Sequence, residues 1–354
     1  MNISDNLVLV LSGGNALGPY HAGAYEALVE KGHQPKHVVG TSIGAITGAI
    51  IAGNRPEDRL NRLHAFWAKA EQTTVGSQAG VWVNPSWQRL AKSFAALQTI
   101  VSGRPGLFGP ELFAAWPISG PVRRKVSILE TCATRETLCE LVDFDLLNEA
   151  DPRLTILAVD VEKGSDVVFD TMHEAIGPDC LRASAAMPVL FNPIEIGGRW
   201  LVDGGLSANL PVRLALGEPR NSDAFCIALD LLSAKGDRPD STGAAAGRAQ
   251  DIVFSCQSRH AIQSLTREYD LRQSISPQAE LATTVLLYLA YNGGRHETAL
   301  KMLDFTTGSI RERWAAGKAD MLQALDQTAS LPAPVSRSLS TLALEHGKLN
   351  WIAF

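Results

Sequence analysis

The stretch LVLVLSGGNALGPYHAGAYEAL, residues 7–28, constrains the fold more than any other. Five consecutive aliphatic residues, 7–11, read as a buried strand that stops at glycine. Gly13, Gly14 and Gly18 let the backbone turn tightly and let other atoms approach it. Pro19 suits the first turn of a helix, where its missing N–H breaks no hydrogen bond. The apolar residues of PYHAGAYEALVEKG then follow helical spacing to a C-cap at Gly32. HVVG at 37–40 is a second short strand, and TSIGAITGAIIAG a helix ending at Gly53. Two successive β-turn-α units predict an α/β fold with parallel strands. The first turn also leaves backbone N–H groups pointing outward, and they must be there to hold negative charge.

GTSIG at 40–44 is a G-x-S-x-G stretch between the second strand and its helix. Gly40 and Gly44 permit a sharp turn that exposes the Ser42 hydroxyl at a helix N-terminus, the arrangement of an activated nucleophile. Only one β-α unit precedes Ser42, which argues against the usual α/β-hydrolase layout. The downstream histidines His260, His296 and His346 sit in no strand-end motif and read as surface or packing residues. Asp203, in LVDGGLSANLP, ends a strand returning from a hairpin whose turn is Gly197–Gly198, and it is followed by Gly204 and Gly205. A partly buried carboxylate there can take the serine proton if its pKa is raised. The Gly13–Gly18 turn is the available set of N–H donors for the oxyanion that an attacked ester forms. The rival reading, a dinucleotide loop, needs a glycine where Asn15 stands.

Composition narrows the partners. The 354 residues are 45% hydrophobic and 19% charged with a net charge of −5, so nucleic acid is not an expected partner. VRRKV at 122–126 is a short basic cluster, read as a solvated face rather than a lipid-headgroup site. The five scattered cysteines show neither zinc spacing nor a disulfide framework, so reduced thiols, a cytoplasmic location and no metal are expected. No basic segment followed by an apolar stretch marks a secretory signal. The longest apolar runs, about 11 residues, are too short to span a bilayer. Membrane contact, if made, is peripheral and at the inner face.

Together the glycine-rich turn, G-x-S-x-G and a later D-G-G, in that order, resemble the patatin-like phospholipase family. RASAAMPVLFNPIEIGGRWLVDGG at 182–205 is similar to that family's approach to its catalytic aspartate. The resemblance covers residues 7–232. It implies a three-layer α/β/α sandwich with a mostly parallel central sheet and a Ser42–Asp203 dyad without histidine. It also implies hydrolysis of lipid acyl esters with no cofactor, and an oxyanion hole formed by the N–H groups of Gly13, Gly14, Asn15 and Ala16. Two departures stand out: the family's turn carries a third glycine and a cationic residue where this chain has Asn15 and Leu17. Asn tolerates left-handed backbone, and Leu17 still supplies an N–H.

Residues 54–120 hold Trp67, Trp82, Trp87 and Trp116 with Phe66, Phe94, Phe108 and Phe113, which reads either as an inserted cap or as ordinary core. Residues 233–354 read as a mainly helical extension, with helices at 248–273 and 309–328 and a strand at 283–291, packed on a catalytic domain of residues 1–232. Self-association through this extension is a further expectation. Tyr20 and His21, in the first helical turn, are either packing residues or neighbours of the site. A non-catalytic lipid-binding or scaffold role on the same fold is the alternative function.

Overall fold

A computed structural model describes residue 3 and residues 6–71, 85–111, 127–218, 222–275, 282–293, 297–328, 330–331 and 339–353, with 85–90 described for the backbone alone. The chain begins with β1 (Leu7–Leu11), α1 (Pro19–Glu30), β2 (His37–Thr41), α2 (Ile43–Ala52), α3 (Arg59–Ala70) and α4 (Pro85–Ser102). A small ribbon of β3 (Gly109–Pro110) and β4 (Leu129–Glu130) precedes α5 (Cys132–Leu141) and α6 (Phe144–Leu147). Next come β5 (Arg153–Asp160), β6 (Ser165–Asp170), α7 (Pro178–Ser184), β7 (Ile194–Ile196) and β8 (Arg199–Asp203). The chain continues through α8 (Gly205–Ala208), α9 (Val212–Leu216), β9 (Ala224–Asp230), α10 (Thr242–Ile275) and β10 (Thr284–Ala290). It closes with α11 (Thr307–Thr328), β11 (Leu339–Glu345) and β12 (Lys348–Ile352).

One ten-stranded sheet runs β12-β11-β10-β9-β1-β2-β5-β8-β7, with β6 paired to β5. From β11 to β5 every neighbouring pair is parallel, and the strands at both margins are antiparallel. The expected mostly parallel α/β sheet is what the chain forms. Strand β1 shows why it has three layers. All five of its residues are buried, as in a strand covered on both faces. Leu7, Leu9 and Leu11 join a core with α1, α2, α3 and α11, while Val8 and Val10 join a second core with α9 and α10. Alternation of side chains along a strand sends them to opposite faces.

From β1 the chain moves outward to β2 and β5, then returns to lay β9 and β10 on the other side of β1. In such sheets the crevice beyond the strand ends at this reversal is where ligands bind. The glycine turn after β1 and Ser42 after β2 both open there.

Residues 233–354 were expected as a mainly helical extension. They do supply α10 and α11, but β10, β11 and β12 continue the same sheet. Strand β10 pairs along its whole length with β9, so no break in the sheet falls near residue 232. Of the aromatic segment, Phe66, Trp67 and Phe108 are core, whereas Phe94 is 69% exposed. Trp82, Phe113, Trp116, the side chain of Trp87 and the VRRKV cluster lie outside the described residues.

Helix α11 packs on α1 with the two backbones in direct contact. A Cβ on Gly23 would overlap the Trp314 carbonyl, and one on Gly317 would overlap the Tyr20 carbonyl. Gly317→Ala is therefore expected to lower the unfolding free energy by about 1–3 kcal/mol, the usual range for overpacking. Urea unfolding beside wild type measures it, and an unchanged midpoint would show that the helices part without cost.

Candidate active site

Ser42 sits between β2 and α2 with φ 56° and ψ −125°, a backbone conformation a non-glycine residue seldom adopts. Its neighbours make the turn feasible. A Cβ on Gly40 would come within 2.5 Å of the Gly44 backbone, and one on Gly44 would overlap the Leu11 carbonyl. The G-x-S-x-G glycines are thus required by the contact of α2 with the end of β1, and the strained residue between them, half-buried, is the serine. Helix α2, IGAITGAIIA, is buried along its whole length, so its N-terminus is held rigidly.

Asp203 ends β8, where it pairs with Ala158 of β5. Thr41 pairs with the preceding β5 residue, Leu157. The register therefore sets Ser42 and Asp203 at the same level of the sheet, although 161 positions separate them in the chain. Asp203 is 1% exposed, and its Oδ1 accepts the Gly205 N–H at 2.7 Å. Burial pushes its carboxyl up to about 7, against the opposing effects of the Gly205 N–H and the Ser42 hydroxyl, with which it interacts directly.

Ser184, at the end of α7, was not among the sequence-based candidates. Its Oγ accepts the Ser42 N–H at 3.1 Å and donates to the Leu157 carbonyl at 2.6 Å. The Gly204 N–H donates to the Ser184 carbonyl and the Asp203 N–H to that of Ala186. One short segment, Ser184–Ala186, thus holds both members of the pair. Its only signal in the sequence was the RASAAMP stretch.

The glycine turn forms a single 3₁₀ turn over Asn15–Leu17, and Asn15 takes φ 49°, the left-handed conformation its side chain tolerates. Its backbone groups are sorted by direction. The Gly13 carbonyl accepts from Asn209 Nδ2, that of Gly14 from the Leu17 N–H, and that of Asn15 from the Gly18 N–H. Ala16 offers its carbonyl to Arg313 Nη1 at 2.9 Å. On the donor side one correction is needed. The Gly13 N–H bonds to the Asn209 carbonyl at 3.0 Å, so it is not available to a ligand. The N–H groups of Gly14, Asn15 and Ala16 have no acceptor within the described residues.

A cavity of about 200 Å³ opens over this arrangement, lined by Asn15, Ser42 and Asp203. Its walls are mostly apolar, with Ile46, Phe66, Phe108 and Met187 on one part. Phe254 of α10 and Leu303, both beyond residue 232, complete them. Among the described residues no histidine lines it. His260 on α10 and His346 in the β11–β12 turn are exposed, and His296 lies outside the described residues. Tyr20 and His21 are fully buried between α1 and its neighbours and do not line this cavity. Burial holds His21 down at about 3, so its ring stays neutral. No cluster of His, Cys, Asp or Glu suited to a metal occurs among the described residues. Nor is any helix there long and apolar enough to cross a membrane.

Residues 9–216 match the family model described as patatin-like phospholipase, and residues 252–336 match a second one described as patatin phospholipase. The chain belongs to the patatin-like phospholipase family. Among curated relatives, an uncharacterized protein YqhO of Bacillus subtilis is 28% identical over 221 residues, 58% of this chain and 65% of that protein. An uncharacterized NTE family protein of Mycobacterium bovis is 26% identical over 211 residues, 59% of this chain and 45% of that one. Aligned regions thus span under two thirds of these patatin relatives. Among solved structures, VipD from Legionella pneumophila matches with a TM-score of 0.41 at 16% identity, covering 91% of this chain and 67% of that one.

The raised pKa of Asp203 has a consequence for stability. An unfolded aspartate ionises near 3.8, whereas the folded one holds its proton up to about 7. Between these values the folded state binds more protons, so this group's contribution to stability falls as pH rises. Asp203→Asn is expected to be more stable than wild type at pH 8, with the difference shrinking toward pH 4. Urea unfolding of both proteins across that range tests it. A pH-independent difference would contradict the raised pKa.

Proposed function

We propose that the protein is a serine hydrolase of lipid acyl esters that uses Ser42 as nucleophile and Asp203 as its base. The observation that carries this reading is the meeting of three parts at one cavity. These are a strained serine lining the cavity, a buried carboxylate that interacts with it, and a turn whose Gly14, Asn15 and Ala16 N–H groups have no acceptor among the described residues. The apolar walls suit an acyl chain.

The chemistry follows from these positions. Ser42 Oγ attacks the acyl carbonyl carbon as its proton passes to Asp203. The carbonyl oxygen becomes an alkoxide held by the N–H groups of the turn, chiefly Gly14 and Asn15, together with Ala16. The C–O bond of the ester then breaks, and Asp203 returns the proton to the departing alcohol. Water attacks the acyl-serine by the same route, giving a carboxylic acid and free Ser42. A carboxyl group that titrates near 7 is matched to both halves of this proton transfer. The N-terminus of α2 adds a favourable field at Ser42.

The test is acyl release from phospholipids, lysophospholipids, monoacylglycerol and short p-nitrophenyl esters by wild type, Ser42→Ala and Asp203→Asn. Hydrolysis by wild type is expected to fall by at least about 10³-fold in Ser42→Ala, the scale at which loss of a nucleophile shows. The kcat/KM of wild type should rise with pH through about 7 and then level, because only the ionised Asp203 accepts a proton. Equal turnover by wild type and Ser42→Ala would end the proposal. No turnover by any of them would favour the lipid-binding alternative.

The cavity walls make a separate prediction. Ile46→Trp narrows the apolar end and is expected to shift preference toward shorter acyl chains. The ratio of kcat/KM for octanoyl and butyryl p-nitrophenyl esters reads it, and an unaltered ratio would place the acyl chain elsewhere.

A further inference from the structure

Arg313, on α11, is fully buried, and each of its donor nitrogens is engaged. Nε donates to Glu297 Oε1 at 3.2 Å, and Nη2 reaches both Glu297 oxygens at 3.1 and 3.0 Å. Nη2 also lies 3.7 Å from Asp304 Oδ2. Nη1 donates to two backbone carbonyls, that of Asp304 at 2.8 Å and that of Ala16 at 2.9 Å. The second belongs to the glycine turn, 297 positions away in the chain.

This placement is unusual energetically. A buried guanidinium is tolerated only when its hydrogen bonds are complete, and the pairing with carboxylates seldom adds net stability over apolar packing. What the cluster does provide is a rigid donor at a defined point. Tyr291 donates to Glu297 at 2.9 Å, and Asp304 accepts from the Thr306 N–H at 3.1 Å and from the Ser309 hydroxyl at 2.5 Å. Both carboxylates are therefore themselves fixed. Both carboxylates face the guanidinium, with Arg104 also acting on Asp304 and Lys92 on Glu297, so Arg313 does not act on the site as a bare cation. Its effect is geometric. Every carbonyl from Gly13 to Ala16 is bonded away from the cavity, and Arg313 supplies the last of those bonds.

We infer that Arg313 is a positioning residue for the oxyanion turn. By gripping the Ala16 carbonyl from α11, it fixes the Ala16–Leu17 peptide unit, whose own N–H closes the turn on the Gly14 carbonyl, and so holds in place the preceding units that present the Gly14, Asn15 and Ala16 N–H groups. The inference rests on the hydrolase reading above. It also gives Glu297, Asp304 and Arg313 a role in the reaction, although they do not line the cavity that holds Ser42 and Asp203.

The test compares wild type with Arg313→Lys and with Arg313→Met/Glu297→Gln, in which the second change removes the carboxylate bonded directly to the guanidinium, while Asp304 keeps its hydrogen bonds from Thr306 and Ser309. Lys318→Met is the control, since Lys318 joins α11 to α1 through Glu26 and Glu30 without touching the turn. Thermal unfolding establishes that each variant is folded. Steady-state hydrolysis of p-nitrophenyl butyrate gives kcat and KM. Inhibition by an aliphatic trifluoromethyl ketone, which adds to serine as an alkoxide, reports on oxyanion binding. Hydrogen exchange of the peptide spanning residues 13–18 reports on the turn directly.

In the double variant kcat should fall by roughly 10²-fold with KM within about twofold, as for a misplaced catalytic group. Ketone affinity should fall in parallel with kcat/KM, and exchange at 13–18 should quicken. Arg313→Lys should recover part of each loss, and Lys318→Met should leave all of them as in wild type. A folded double variant with wild-type kcat, ketone affinity or exchange would overturn the assignment of Arg313. Absence of Ser42-dependent turnover in wild type would instead overturn the hydrolase reading and this assignment with it.

Discussion

Gly44 lies so close to the end of β1 that one added carbon would overlap the Leu11 carbonyl oxygen. The rest of the site depends on that contact. It presses the start of α2 against the glycine turn, which brings the nucleophile candidate and the N–H groups of Gly14 and Asn15 to the same crevice. It also forces Ser42 into a left-handed backbone conformation, which raises the hydroxyl above the sheet. The fully buried α2 anchors this arrangement, because moving the helix would expose mostly apolar side chains along its entire length.

Two buried charges are handled in opposite ways around this contact. Asp203 is buried with only the Gly205 N–H and the Ser42 hydroxyl to favour its ionised form, so its proton affinity rises toward neutrality. Arg313 is buried with two carboxylates and two carbonyls, so it keeps its charge. The difference follows from desolvation. An under-compensated carboxylate becomes a group that can exchange a proton, while a fully bonded guanidinium becomes a fixed strut.

Much of this was legible in the sequence. Strand β1, the glycine turn and α1 declared themselves through an aliphatic run, three glycines and Pro19. Ser42 and Asp203 stood out because each lay beside glycines at a strand end. The hairpin that turns at Gly197–Gly198 followed from its glycine pair. Less legible were the pieces whose meaning is set by distant partners. Ser184 looks like any helix-terminal serine until its hydroxyl meets the Ser42 N–H. Gly13 reads as an oxyanion donor until the Asn209 carbonyl takes its N–H. Strands β11 and β12 carry no strong period of their own and are defined by pairing with β10 and with each other.

The sequence by itself determined the local events: where strands end in glycine, where helices begin, which serine can be exposed and which aspartate can meet it. Those depend on steric rules that act over a few residues. Only the tertiary structure decided that β10, β11 and β12 extend the same sheet, that Gly23 and Gly317 let α11 lie on α1, and that Arg313 reaches the Ala16 carbonyl. Each of these joins segments far apart in the chain, and the energies involved arise only when both sides are present and water has been excluded.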